Sequence, residues 1–189
     1  WAKEQHVYFV AQFSQKMRDL GGIQGHTNTF KFDSKEIMVK IGISAVSVEG
    51  ARKNLEAEIP HWDFNKIKKE TQQAWELELS KISIEANDEQ KEIFYTALYH
   101  SLLNPNIFSD VDGKYRGTDL QIHESDKNVY TVFSLWDTYR ATHPLFTIIE
   151  QEKTNEFINT FLLQYENGGQ LPMWELSANY TGCMIGYHS

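Results

Sequence analysis

Two hydrophobic periods divide this chain, and no single layer of secondary structure satisfies both. In Val7-Tyr8-Phe9-Val10-Ala11-Gln12-Phe13 the odd positions are apolar throughout. In Ile37 to Ser44 the odd positions Ile37, Val39, Ile41 and Ile43 share one face. A period of two predicts half-buried strands. Gly21-Gly22 and Gly25 predict turns between them, and Phe30 and Phe32 a further short strand. From Glu49 onward the apolar spacing becomes three and four, which is helical.

The helical part reads as four segments. Glu49 to Glu58 is short and polar, ended by Pro60. Asn65 to Ile82 carries Ile67, Thr71, Ala74, Trp75, Leu79 and Ile82 at helical spacing. Asn87 or Asp88 can cap a third, with Ile93, Phe94, Ala97, Leu98, Ser101 and Leu102 on one face before Asn104-Pro105 stops it. Asn155 to Glu166 shows Phe157, Ile158, Phe161, Leu162 and Tyr165, and Gly168-Gly169 ends it. The expected order is the tail of an antiparallel β-domain over 1–58, a helical linker over 59–85, and the start of an all-helical domain over 86–189.

Charge excludes one class of function. A formal net charge of -8, with no cluster of Lys or Arg beyond Lys66-Ile67-Lys68-Lys69, argues against a nucleic-acid binder. No apolar run approaches the ~18 residues that span a membrane. The single Cys183 excludes an internal disulfide framework. The chain starts at Trp1 without an initiator Met and stops soon after the apolar Cys183-Met184-Ile185, which predicts an internal piece of a longer protein.

Two dense constellations stand out in a chain with 5 Trp, 9 Tyr and 11 Phe. "FSLWDTYRATHPL" (133–145) crowds Trp136, Asp137, Tyr139 and Arg140 together before an expected stop at His143-Pro144. "NGGQLPMWELSANYTGCMIGYHS" (167–189) repeats the ring-plus-carboxylate pairing at Trp174-Glu175, with Asn179, Tyr180, Thr181 and His188 following. Rings and carboxylates together suit a sugar, whose C–H face lies on an indole while its hydroxyls need acceptors. Core packing is the plainer reading of the same rings. "SDVDGKYRG" (109–117) offers Asp110 and Asp112, but it lacks the third oxygen ligand of an EF-hand loop, and Asp-Gly by itself signals a turn. Asn179-Tyr180-Thr181 is formally a glycosylation sequon. Nucleophile-elbow, phosphate-loop, dinucleotide and HExxH motifs are absent, and the seven histidines lack metal-ligand spacing.

Taken in order, "VYFVAQFS", "VKIGISAVSVEGARKNLEAEIP", "FYTALYHSLLNPNIFSDVDGKYRG", "YTVFSLWDTYRATHPL" and "GGQLPMWELSANYTGCMIGYHS" resemble the central part of family 92 glycoside hydrolases. These are calcium-dependent, exo-acting bacterial α-mannosidases. The resemblance implies a multidomain β + α architecture: the end of an N-terminal antiparallel β-sandwich, a helical linker, and the start of an (α/α)6 toroid. It implies an inverting glycosidase that removes terminal α-linked mannose from glycans, in the periplasm or outside the cell. Trp136 and Asp137 are the expected substrate-binding pair. Arg140, one turn on, is placed to orient Asp137. Arg140, Trp174, Glu175 and His188 form an expected second tier. Tyr180 stands where many members carry Glu. The catalytic acid and base, and most ligands of the expected Ca²⁺, belong beyond Ser189, so no catalytic residue is assigned here and the metal ligands are unknown. The remainder of its own polypeptide is an expected partner. The rival reading is a non-catalytic mannan- or glycan-binding protein of the same fold; a ligand-free scaffold is a third.

Overall fold

The computed structural model describes residues 2–24 and 27–189. Its β-layer begins with β1 (Tyr8–Phe13) paired antiparallel to β4 (Val39–Ser44). Beside it runs a second ribbon, β2 (Asp19–Gln24) with β3 (Thr27–Lys31). Gly21 and Gly22, expected in a turn, lie inside β2, where the register shifts between Leu20 and Ile23. That extra residue is a β-bulge, a place glycine tolerates as readily as a turn. The turn expected at Gly25 lies outside the described residues. Helix α1 (Val48–Glu58) follows, capped by Ser47, whose hydroxyl accepts from the Gly50 N–H.

The period-two reading located these strands, and the apolar face it defines is left open among the described residues. Phe9, Ala11 and Phe13 pair with Ile43, Ile41 and Val39, so the odd positions do share a face. Yet Phe9 and Ile43 are each 63% exposed. The face that packs is the other one: Val10 and Gly42 meet Ala51 and Leu55 of α1, with Ile59 alongside. Only at one end is the apolar face capped, where Phe13 meets the rings of Phe30 and Phe32 at 5.3 and 5.1 Å.

Helix α2 (Phe64–Leu79) is capped by Asp63 and buries none of its residues. Helix α3 (Asp88–Ser101) opens with a full capping box: the Asn87 side chain accepts from the Gln90 N–H, and the Gln90 side chain accepts from the Asn87 N–H. Helices α4 (Leu135–Thr138), α5 (Thr142–Ile149) and α6 (Gln151–Gly168) complete the set, with Gly169 at φ 75° ending α6 as its left-handed cap. Pro144 does not stop a helix. It sits in the first turn of α5, where its missing N–H has no intrahelical partner in any case.

Helices alone were expected after residue 86, and that expectation is corrected. Strands β5 (Asn106–Ile107), β6 (Lys114–Arg116), β7 (Ile122–Glu124), β8 (Tyr130–Thr131), β9 (Phe133–Ser134), β10 (Trp174–Leu176) and β11 (Asn179–Tyr180) all lie there. They pair as β5–β8, β6–β7 and the three-stranded β11–β10–β9, with no closed barrel among the described residues. The second core gathers on this frame: Tyr130, Phe133, Leu135, Phe146 and Phe157, with Phe161 edge-on to Phe133 at 4.7 Å. The end of α2 is tied to the α5–α6 junction by ions. Lys81 contacts both Glu78 and the buried Glu150, and Lys153 contacts the same two carboxylates at 3.1 and 3.3 Å.

Gly42 is the tightest point of the β-layer. A Cβ there would lie 2.3 Å from the Ala51 carbonyl oxygen and 2.7 Å from the Leu55 Cβ. The first neighbour is backbone and cannot rotate aside. We expect Gly42→Ala to destabilise the full-length protein by about 3 kcal/mol, at the upper end of ordinary overpacking. Thermal unfolding of the variant against wild type measures it, and an unchanged midpoint would mean that α1 does not sit this close.

Candidate functional site

The two ring-plus-carboxylate pairs are brought together by β9 and β10, whose register sets Trp174 opposite Ser134 and Glu175 opposite Phe133. Local geometry then splits each pair. Successive strand residues point to opposite faces, so Trp174 lines an open cavity of about 350 Å³ while Glu175 is 1% exposed behind it. The same division holds on α4. Asp137 lines the cavity; Trp136 does not, and its ring lies 5.8 Å from that of His188. The cavity therefore joins the carboxylate of one block to the ring of the other.

Beyond Ser134 and Thr138, which flank Asp137, its polar lining comes from His100 and Ser101 at the end of α3, Asn104 beyond it, and Thr142 and His143 on α5. None of these was singled out from the sequence as a site residue. His143 was visible only as the residue before a proline, and His100 as one polar residue in a helix end. The Asp137 carboxylate is exposed and accepts from the Ser134 hydroxyl. Arg140 does not orient it: the guanidinium lies over the Tyr139 ring at 4.9 Å, and among the described residues it makes no ion pair with Asp137. His188 stacks flat on Tyr139, with centroids 4.0 Å apart and an interplanar angle of 2°. Trp136, Tyr139 and His188 thus form an aromatic group of their own beside α4.

Glu175 is surrounded by neutral donors. Thr131 Oγ1 donates to both oxygens at 2.9 and 3.0 Å, the Ala178 N–H to one at 2.7 Å and the Val132 N–H to the other at 3.1 Å. Burial pushes its carboxyl up to about 7, against the pull of these hydrogen bonds. Asn179 is also buried, at 6% exposure. Its side-chain oxygen accepts from the Lys3 and Glu4 N–H groups, and its amide donates to the Glu4 and Ser177 carbonyls. Tyr180 is half-buried in β11.

Asp110 and Asp112 belong to a turn, as expected, and also to a joint that was not foreseen. Asp110 accepts from Ser44 Oγ and Asn54 Nδ2, each at 2.7 Å, and Lys53 Nζ reaches Asp112 at 2.9 Å. No signal in the local sequence identifies partners 56 to 66 residues away. Among the described residues no group of three or more His, Cys, Asp or Glu is arranged to hold a metal ion. No helix among them is long and apolar enough to cross a membrane. Asp137 is the one carboxylate among the described residues lining the cavity. The arrangement can accept hydrogen bonds from a ligand's hydroxyls and offer it an indole face. Inverting glycoside hydrolysis needs a second carboxylate across the bond.

Comparison with known proteins places this geometry. The glycosyl hydrolase family 92 catalytic domain matches residues 50–189. A family GH92 α-mannosidase from Bacteroides thetaiotaomicron superposes on the whole chain with a TM-score of 0.90 at 39% identity, the match covering 29% of that enzyme. It has also been solved in complex with mannoimidazole. A family GH92 inverting mannosidase from Bacteroides thetaiotaomicron VPI-5482 matches 96% of this chain and 27% of its own length, with a TM-score of 0.88 and 29% identity. An uncharacterized secreted glycosidase of the fungus Arthroderma benhamiae is 28% identical over 109 residues, 55% of this chain and 13% of that protein. The chain spans less than a third of the solved enzymes it matches.

Burial holds the His143 imidazole below its ordinary value, so folding favours its neutral form. The stability this adds is present above pH ~6.5 and is lost as pH falls. Glu175 acts oppositely: its raised value favours the neutral acid, a contribution present below about 4.5 and lost as pH rises through about 7. We expect the unfolding midpoint of His143→Gln in the full-length protein to fall less than that of wild type between pH 8 and pH 5. Equal falls would show that His143 is not held neutral.

Proposed function

The chain belongs to glycosyl hydrolase family 92, and on that footing we propose that the full-length protein removes terminal α-linked mannose from glycans with inversion at C1. The observation that supports it best is the convergence of Asp137 and Trp174 on one open cavity, in a chain whose solved relatives include an α-mannosidase. Asp137, held by the Ser134 hydroxyl, accepts hydrogen bonds from sugar hydroxyls. Trp174 offers a ring face in the cavity, and Trp136 a second one on the neighbouring surface. His143, kept neutral, can donate from one ring nitrogen or accept at the other. The general acid and base come from residues outside this chain. One protonates the leaving oxygen while the other deprotonates the attacking water.

We infer the finer architecture in the same way: 1–58 as part of a β-sandwich, 59–85 as linker, and 86–189 as the start of an (α/α)6 toroid. The uncovered apolar faces support this. Phe9, Ile41 and Ile43 on the first ribbon, and Ile158, Leu162 and Tyr165 along α6, are exposed and need cover from the rest of the polypeptide. A periplasmic or extracellular site of action is proposed, in keeping with a fungal relative named as secreted. Ca²⁺ is part of the proposal, although no group of three or more His, Cys, Asp or Glu among the described residues is arranged to hold it. Most of its ligands would come from elsewhere in the protein, and no step is drawn through the ion.

We expect the full-length protein to hydrolyse an aryl α-mannoside and to release β-mannose first, as read by proton NMR of the fresh product. The 189-residue chain alone should give no turnover. A retained α-anomer would end the inverting reading. Tight mannan binding without hydrolysis would instead support the non-catalytic alternative.

Chelation should abolish activity and added Ca²⁺ restore it; full activity after exhaustive chelation would remove the metal from the proposal.

Asp137→Ala should lower kcat/KM by about 2–4 kcal/mol, the range of polar contacts that strengthen in a transition state, with the fold retained. Unchanged turnover per folded molecule would make Asp137 a structural residue.

A further inference from the structure

Backbone in the left-handed region is rare outside glycine, and rarest for a β-branched residue. Val132 adopts it at φ 67°, Ser177 at 48° and Ala178 at 66°. All three converge on one carboxylate. The Val132 and Ala178 N–H groups donate to Glu175, and the Ser177 N–H donates at 2.7 Å to Thr131 Oγ1, which itself donates to Glu175. A buried carboxylate needs several donors, and three N–H groups turned inward by left-handed backbone supply them, two directly and one through Thr131. Ser177 and Ala178 are also the two central residues of the β10–β11 hairpin, whose tight turn itself takes positive φ, so Val132 is the position whose left-handed backbone the hairpin does not account for.

The consequence reaches the cavity. Val132 lines it, and so does Trp174, the residue next to Glu175 on β10. The chain from Val132 runs through β9 directly into α4, which carries Asp137. The geometry points to Glu175 as a positioning residue: its carboxylate holds the Val132 and Ser177–Ala178 backbones in place and so fixes Trp174 and Asp137 relative to each other across the cavity. Glu175 does not face the ligand. It acts through the wall that does. The catalytic consequence rests on the mannosidase reading above; the structural one does not.

The test uses the full-length protein. Glu175→Gln keeps the shape but replaces an oxygen by an amide, which sets donor against donor at Val132 or Ala178. Thr131→Val removes only the hydroxyl, and Thr131→Ser retains it. We expect Glu175→Gln and Thr131→Val each to lower kcat on an aryl α-mannoside at least tenfold, with KM changed less, because misplacement is felt most where bonds are breaking. Thr131→Ser should stay near wild type. A change that merely destabilises leaves kcat per folded molecule and KM untouched, so the folded fraction is measured in each sample. Hydrogen exchange provides a readout without substrate: peptides covering 131–138 and 174–178 should exchange faster in the first two variants while the remaining helices keep their protection. If wild type proves inactive on mannosides but the exchange pattern holds, the substrate assignment fails and the positioning role stands. If Glu175→Gln does not fold, Thr131→Val decides. Wild-type kcat and wild-type exchange in a folded Thr131→Val or Glu175→Gln would overturn the proposal.

Discussion

Asp110 is 5% exposed, and its two carboxylate oxygens are taken up by the Ser44 hydroxyl and the Asn54 amide, one from the end of β4 and one from α1. The described residues gather into two separate hydrophobic clusters, one around Leu55 and one around Phe133. This carboxylate is where the layers that carry them are joined. Gly50 shows how closely: a Cβ at that position would stand 2.1 Å from Asp110 Oδ2. Around it Lys53 meets Asp112, Asn54 Oδ1 accepts from the Val111 N–H, and Arg116 Nε donates to the Ala45 carbonyl. The β6–β7 hairpin that follows is fastened to α6 through Thr118 Oγ1 on the Gln164 carbonyl and Asn167 on the Tyr115 hydroxyl. A path of hydrogen bonds thus runs from the β-layer to α6, whose Phe157 packs behind the cavity-lining Phe133.

Two ways of burying an acid coexist in this chain. Asp110 and Glu175 are enclosed by neutral donors, whereas Glu150 is enclosed by the ammonium groups of Lys81 and Lys153. The ion cluster also draws in Glu78: burial works to raise its carboxyl, but the Lys81 and Lys153 ammonium groups outweigh it and lower the carboxyl to about 2. Neutral donors fix direction more tightly than ammonium groups do, because N–H and hydroxyl bonds are geometrically defined while a lysine is a rotatable point charge. The directional kind is found at the joint and at the cavity wall. The ionic kind is found between helices.

What was legible in the sequence was whatever repeats over several turns or strand residues. Helices α1, α2, α3 and α6 lay close to their expected bounds, and Asn87 caps α3 as one of two candidates. Strands β1 and β4 were found from alternation alone. Strands of two or three residues, as in β5 to β11, are too short to establish a period, so the region after residue 86 read as helical. Alternation also gives a face without saying what covers it: the apolar side of β1–β4 is the open one, and Gly42 and Val10 mark the side that α1 occupies. For the site, density of aromatic and acidic residues drew attention to two segments that the fold brings together at one cavity. It could not resolve Trp174 from Glu175 or Asp137 from Trp136, because adjacent residues point different ways. The contributions of His100 and His143 depend on tertiary approach and leave no local trace.

Asn179 carries one further consequence. Its side chain is consumed by four hydrogen bonds to the backbone at residues 3, 4 and 177, so the folded protein presents no amide for a glycan to be attached to. Sugar transfer in a eukaryotic secretory pathway, however, acts on chains that have not yet folded, and Asn179-Tyr180-Thr181 satisfies its requirement. A glycan added there would occupy the space that Lys3 and Glu4 must fill and would prevent the amino-terminal segment from docking. For production in yeast or animal cells, the choice of host therefore bears on folding itself, and breaking the sequon at Thr181 would remove two hydrogen bonds, to the Trp174 carbonyl and from the Cys183 N–H, against the four lost at Asn179.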